Sequence, residues 1–199
     1  MARTQQQRRE ETRARLLDAA IETIVEVGYA RASAAVIARR AQVSDGALFK
    51  HFATMGDFMA ATVLEVMRRQ LVEFGKLVAE IPSDKPALEG ALVALREVSG
   101  NATNAVMYEL MVAARTDVKL RATLQDALSE YGRTIYETAQ ALPGADQLPP
   151  EHLLMLVATL INVFDGAALV RAVLPQPEIE DGRLQLLMAM LGGLGGTQT

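Results

Sequence analysis

The sequence predicts an all-α protein, and three observations carry that expectation. Apolar residues recur three and four apart along most of the chain, the period of an amphipathic helix. No stretch alternates apolar and polar residues at the period of two that a strand requires. The breaks fall on residues that stop helices: Pro82-Ser83-Asp84, Gly100-Asn101, Thr116-Asp117, P-G-A-D-Q-L-P-P at 143–150 and P-Q-P-E-I-E-D-G at 175–182. At 199 residues, 50% of them hydrophobic, the chain is long enough for one large core or two small ones. About nine helices follow from this punctuation.

In order along the chain, residues 1–8 are polar and read as a tail, with Arg3, Arg8, Arg9 and Arg13 available to a phosphate backbone or to solvent. A first helix runs from about Arg9 to Val27, with Leu17, Ala20, Ile21 and Ile24 as its buried stripe and Gly28 as its C-cap. Between Ser33 and Phe52 the pattern is two short helices joined by a tight turn. Ser33 caps the first, with Val36, Ile37 and Ala41 on its inner face; Val43 plugs the turn. Ser44 caps the second, with Leu48, Phe49 and Phe52 inward. Asp45, Gly46, Ala47, Lys50 and His51 face outward, a small, polar surface suited to a DNA major groove. Thr54 caps a long helix that reaches about Glu80, and five more are expected near 86–99, 103–114, 117–142, 150–174 and 179–191.

Charge is distributed unevenly. Residues 1–57 carry nine Lys/Arg against seven Asp/Glu, net +2, and residues 58–199 carry eleven against seventeen, net −6, which together make the overall −4. The basic share travels with the two-helix motif, as attraction to phosphate requires. Chemistry finds few players. There is no cysteine, and the only histidines are His51 and His152, so disulfides, iron–sulfur clusters and zinc fingers are not expected. No G-x-S-x-G occurs, and the glycine-rich end follows no strand, so neither an enzyme nor a nucleotide loop is expected, nor any cofactor or metal. With a polar N-terminus and no unbroken apolar run of 18 residues, a cytoplasmic protein without a membrane partner is expected.

Residues 12–58, from T-R-A-R-L-L-D-A-A-I-E-T-I-V-E-V-G-Y to I-A-R-R-A-Q-V-S-D-G-A-L-F-K-H-F and a little beyond, resemble the DNA-binding domain of the TetR family of bacterial transcriptional regulators. The match takes in the first helix, the Gly28-Tyr29 corner, the Ile37-Ala38 pair and the segment from Val43-Ser44 to Phe52 without a gap. The resemblance implies an N-terminal helix–turn–helix domain over residues 10–70, a ligand-binding and dimerisation domain over 71–192, and a flexible tail at 193–199. It implies DNA contacts by Ser33, Ala34, Ala35, Ser44, Asp45, Gly46, Ala47, Phe49, Lys50 and His51. It also implies a homodimeric regulator, usually a repressor, on a roughly palindromic operator.

Four positions depart from the family pattern. Phe49 stands where Tyr is usual and Ala47 where Thr is common; Asp45 and Met55 stand where Lys is frequent. Each removes a contact to the DNA backbone, so a weaker or more salt-sensitive operator complex is expected.

The helices at 150–174 and 184–191 are apolar on almost every side. A helix of that kind needs cover on two faces. The family dimerises through its last two long helices, which implies an interface containing Leu153, Leu156, Leu160, Val163, Leu184, Leu187, Met188 and Leu191. An effector pocket is implied by analogy among the middle helices, with Phe74, Met107, Tyr108, Met111, Tyr131, Ile135, Asn162, Phe164 and Asp165 as candidate lining. The absence of a cationic cluster there favours a small apolar or aromatic effector. Two rivals stand beside this reading: an effector-independent or partner-controlled regulator, and a small-molecule-binding bundle that has lost DNA binding.

Overall fold

A computed structural model describes residues 4–194, with nine α-helices and no strand among them. The helices are α1 (Gln5–Val27), α2 (Ala34–Arg40), α3 (Asp45–His51), α4 (Met55–Ala79), α5 (Ala87–Ser99), α6 (Asn104–Ala114), α7 (Val118–Gln140), α8 (Pro150–Arg171) and α9 (Pro177–Leu194). They form two compact units. One contains residues up to Arg69 together with 102–130; the other contains 70–101 and the residues from Tyr131 onward.

In the first unit, α1 packs on α2, α3 and α6, and α6 also meets the short 3₁₀ turn Tyr29–Arg31. Leu16, Ile24, Ile37, Leu48, Phe58, Met59 and Val63 are fully buried. Each buried side chain of this size removes enough apolar surface from water to stabilise the unit by about 1.5–3 kcal/mol. Gly28 ends α1 at φ 83°, a left-handed conformation that suits a residue without a Cβ. The Glu109 carboxylate lies against it and accepts a hydrogen bond from the Tyr29 N–H. A long-range bond thereby holds α6 to the corner where α1 turns.

Helix α1 begins four residues before the expected start. Thr4 and Gln7 form a capping box: the Thr4 hydroxyl accepts from the Gln7 N–H at 3.1 Å, and the Gln7 side chain accepts from the Thr4 N–H at 2.9 Å. Arg8 is therefore helical and does not belong to a tail, while Arg3 lies outside the described residues. Thr54 and Asp57 form an equivalent reciprocal pair at the start of α4, with Asp57 N–H donating to the Thr54 hydroxyl at 3.1 Å and Thr54 N–H to the carboxylate at 3.0 Å. Asp117 caps α7 by accepting from the N–H groups of Lys119 and Leu120, each at 3.0 Å.

In the second unit α5 packs against α8 and α9. Leu92, Leu160, Phe164, Leu184 and Leu191 form its buried cluster, flanked by Leu95, Leu156, Leu187 and Met188. Helix α9 continues to Leu194, past the expected end at 191, so Gly193 and Leu194 of the expected tail are helical, and the rest of that tail, 195–199, lies outside the described residues. Helix α8 holds no unbroken apolar run of 18 residues. Asn162 and Asp165 interrupt its apolar run, yet an 18-residue window still averages a hydropathy of 2.1, enough by length and composition to cross a bilayer. Only 17% of that window is buried by the described residues.

Candidate nucleic-acid interface

The turn between α2 and α3 is made by Gln42, the one non-glycine residue with positive φ (55°) among those described. The Val43 N–H donates back to the Ala38 carbonyl at 3.0 Å, closing the turn, and Val43 is half-buried beneath it. Leu48 and Phe52, one helical turn apart, anchor α3 inward with 0% and 4% exposure. Phe49 lies about 100° further round the helix and is 51% exposed, so it belongs to the outward face and not to the inner side. It shares that face with Gly46 and Lys50, both exposed, while Ala47 and His51 are half-buried.

Gly46 is not demanded by packing: a Cβ there would meet nothing within 4 Å. Its bare backbone leaves a close approach open from outside. Ser33 is exposed, and its hydroxyl accepts from the Val36 N–H at 3.4 Å as the cap of α2. Ser44 occupies the cap position of α3 without making a side-chain cap bond. Ala35 is exposed and Ala34 half-buried at the start of α2. Asp45 opens α3, and its side chain lies outside the described residues.

Two arginines of α1 join this face. The Arg13 guanidinium stacks over the Phe52 ring at 4.5 Å, and Phe52 in turn packs on Phe58 with ring centroids 4.7 Å apart. Burial pulls the His51 imidazole below its ordinary pKa, and the positive field of Arg9 and Arg13 pushes it further down. Both effects favour the neutral imidazole, which offers a hydrogen bond rather than a charge. Arg40 is committed elsewhere, ion-paired with Glu22 at 3.5 Å and with Glu26. The T-x-x-Q signal at Thr4 is what would have placed Gln5 to Arg8 on the helix from the sequence.

The second unit holds a cavity of about 430 Å³, lined from α4, α5, α7, α8 and the α7–α8 connection. Of the nine residues expected to line a pocket, Phe74 and Ile135 do. Tyr131 is turned away, donating its hydroxyl to the Gln70 side-chain oxygen at 2.7 Å; burial and the Asp165 carboxylate raise its pKa well above the ordinary phenol value. Phe164 belongs to the buried cluster, and Asn162 is exposed. Met107, Tyr108 and Met111 belong to α6 in the other unit. The residues expected at a dimer interface are largely covered by their own chain: Leu153, Leu160, Leu184 and Leu191 are each 6–8% exposed. Leu156, Val163, Leu187 and Met188 are half-buried. The outward apolar residues are Met155, Leu169 and Val170 on α8 and Ile179, Leu186 and Met190 on α9, each at least half exposed.

A helix–turn–helix with an exposed second helix and a basic flank defines the DNA-binding regulators as a class. Residues 16–62 match the profile of the bacterial regulatory proteins of the tetR family. A helix–turn–helix-type transcriptional regulator of Mycobacterium tuberculosis (strain ATCC 25618 / H37Rv) is 65% identical over 191 residues, covering 96% of this chain and 98% of its own. Among solved structures, a transcriptional regulator from Rhodococcus sp. Rha1 superposes with a TM-score of 0.69 at 24% identity, covering 94% of this chain and 99% of its own. The multidrug binding protein EbrR, solved with imidazole, does so with a TM-score of 0.63 at 26% identity over 89% of this chain and 93% of its own. The chain belongs to the TetR family of DNA-binding transcriptional regulators, a family of regulators and not of enzymes. A bacterial transcriptional regulator acts on DNA, which places its work in the cytoplasm.

Proposed function

We propose that the protein is a homodimeric repressor whose α3 helices read two half-sites of a roughly palindromic operator, and which a small apolar effector releases. The observation that carries the DNA half is the outward face of α3: Gly46 open to solvent, Phe49 half exposed, Lys50 free of packing, and Arg9 and Arg13 beside His51. Lys50 reaches phosphate or a guanine edge, Ala47 presents a methyl to thymine, and the alanines and Ser33 at the start of α2 meet the backbone. Two such helices in a two-fold dimer engage successive major grooves about 34–36 Å apart.

Dimerisation is supported by the outward faces of α8 and α9. A helix of mean hydropathy 2.1 with 17% of its window buried is not at rest in water, and a second copy of the same face is the self-complementary cover. The relevant residues are the exposed Met155, Leu169, Val170, Ile179, Leu186 and Met190, since the chain itself occupies the opposite side. Effector control is supported by the cavity, and by EbrR, a multidrug binding protein of similar fold. Release then follows by population shift, the effector binding better to the conformer that does not fit DNA.

The test is a mobility shift on the DNA immediately upstream of the protein's own coding region, at low and moderate salt. A shift that unlabelled random DNA fails to compete supports the reading. If selection from random DNA also enriches no sequence, the DNA-reading assignment is wrong.

A further inference from the structure

This inference rests on the cavity being the effector site, and it concerns the chemistry of the molecule that fills it. Every described side chain on the wall is a hydrocarbon: leucines, isoleucines, alanines, a valine and prolines, with Phe74 as the one aromatic ring. No described lining residue carries a hydroxyl, amide or ionisable group. The polar side chains nearest at hand in sequence pattern are used elsewhere, Tyr131 on Gln70 at 2.7 Å and Asn162 facing outward.

We infer that the ligand is a neutral, predominantly aliphatic molecule. A quaternary ammonium needs several aromatic faces or a carboxylate to replace its hydration, and a single phenyl ring supplies neither. An anion fares little better. Pro86, Ala87 and Leu88 bring the start of α5 to the wall, and that start has no side-chain cap. The half-charge of that helix end does not offset removing a full charge from water.

The experiment uses the full chain and N-phenyl-1-naphthylamine, a neutral fluorophore that brightens in apolar surroundings. It is displaced with 1-decanol, decanoate at pH 8 and decyltrimethylammonium, all below their micelle concentrations. The expected result is displacement by 1-decanol at concentrations at least 100-fold lower than either ion. Equal or better displacement by either ion, or no fluorophore binding at all, overturns the assignment. Ala139→Phe, placing a ring in the cavity, should abolish binding. Ala145→Leu, at a half-buried wall position, should weaken it several-fold and serves if the first variant does not fold. Unchanged binding in a folded variant of either kind counts against the cavity. Mobility shifts on the same preparations separate the two readings: displacement by 1-decanol without DNA release upholds the ligand class and refutes its role as effector.

Discussion

Removing the Glu109 carboxylate should loosen the corner of the DNA-binding domain by an amount that hydrogen-bond energetics fixes in advance. Glu109 stands on α6, and its side chain is half-buried against Gly28, where an added Cβ would lie 3.5 Å from Oε2. It accepts from the Tyr29 N–H, the donor at the point where α1 gives way to the 3₁₀ turn. A hydrogen bond to a charged acceptor contributes about 1.5–3 kcal/mol net, and partial exposure places this one at the lower end, near 1.5 kcal/mol. Glu109→Ala should therefore cost about 1.5 kcal/mol in urea unfolding, and the Tyr29 amide should exchange with solvent roughly tenfold faster under native conditions. Glu109→Gln keeps an acceptor and loses only the charge, so its cost should be about half as large. The reasoning is refuted if Glu109→Ala unfolds within about 0.5 kcal/mol of the parent, or if the glutamine variant is as damaged as the alanine.

Three further outcomes are expected. Lys50→Ala should weaken operator binding and lower the slope of log affinity against log salt by about 0.9, one phosphate's worth, whereas Asp45→Lys should raise binding to random DNA; both are read by fluorescence anisotropy across a salt series. Counterion release also amends the salt half of the earlier expectation, because fewer cation–phosphate contacts give a shallower salt dependence, not a steeper one. The Glu65 carboxyl is held down to about 2 from 4.5, chiefly by the Arg68 hydrogen bond with Arg69 adding to it. A depressed carboxylate stabilises the fold above its unfolded pKa and loses that contribution as pH falls from about 4.5 towards 2, so Glu65→Gln should cost about 1 kcal/mol at pH 7, discounted for the exposed arginines, and nothing near pH 2. Met155→Glu combined with Leu186→Glu should yield a folded monomer in sedimentation, while a persistent dimer would place the interface elsewhere.

What was legible in the sequence is what local chemistry dictates. Ser33, Gly28, Thr54 and Asp117 announce helix ends because a cap needs only its own next three residues. Leu48 and Phe52 announce an inner face because they stand one turn apart. Phe49 misled because an aromatic beside them looks like core until the 100° step per residue is applied. In α8 the signal vanishes: a helix apolar all round has no period, so only packing against α5 shows that Leu153, Leu160 and Phe164 are the covered side. The cavity was less legible still. Its wall is assembled from four helices and a loop, and the polar residues that looked like ligand handles have partners or face solvent.

The thinly covered α8, taken with the proposed dimer, has a corollary for how much regulator a cell holds. On that proposal an unpaired chain presents that much oil to water and would be a target for proteolysis and for off-pathway association, whereas paired copies would be shielded. Survivors would then accumulate as the square of chain concentration, and a modest change in synthesis would become a larger change in occupied operator. Abundance control is in that sense written on the outside of one helix.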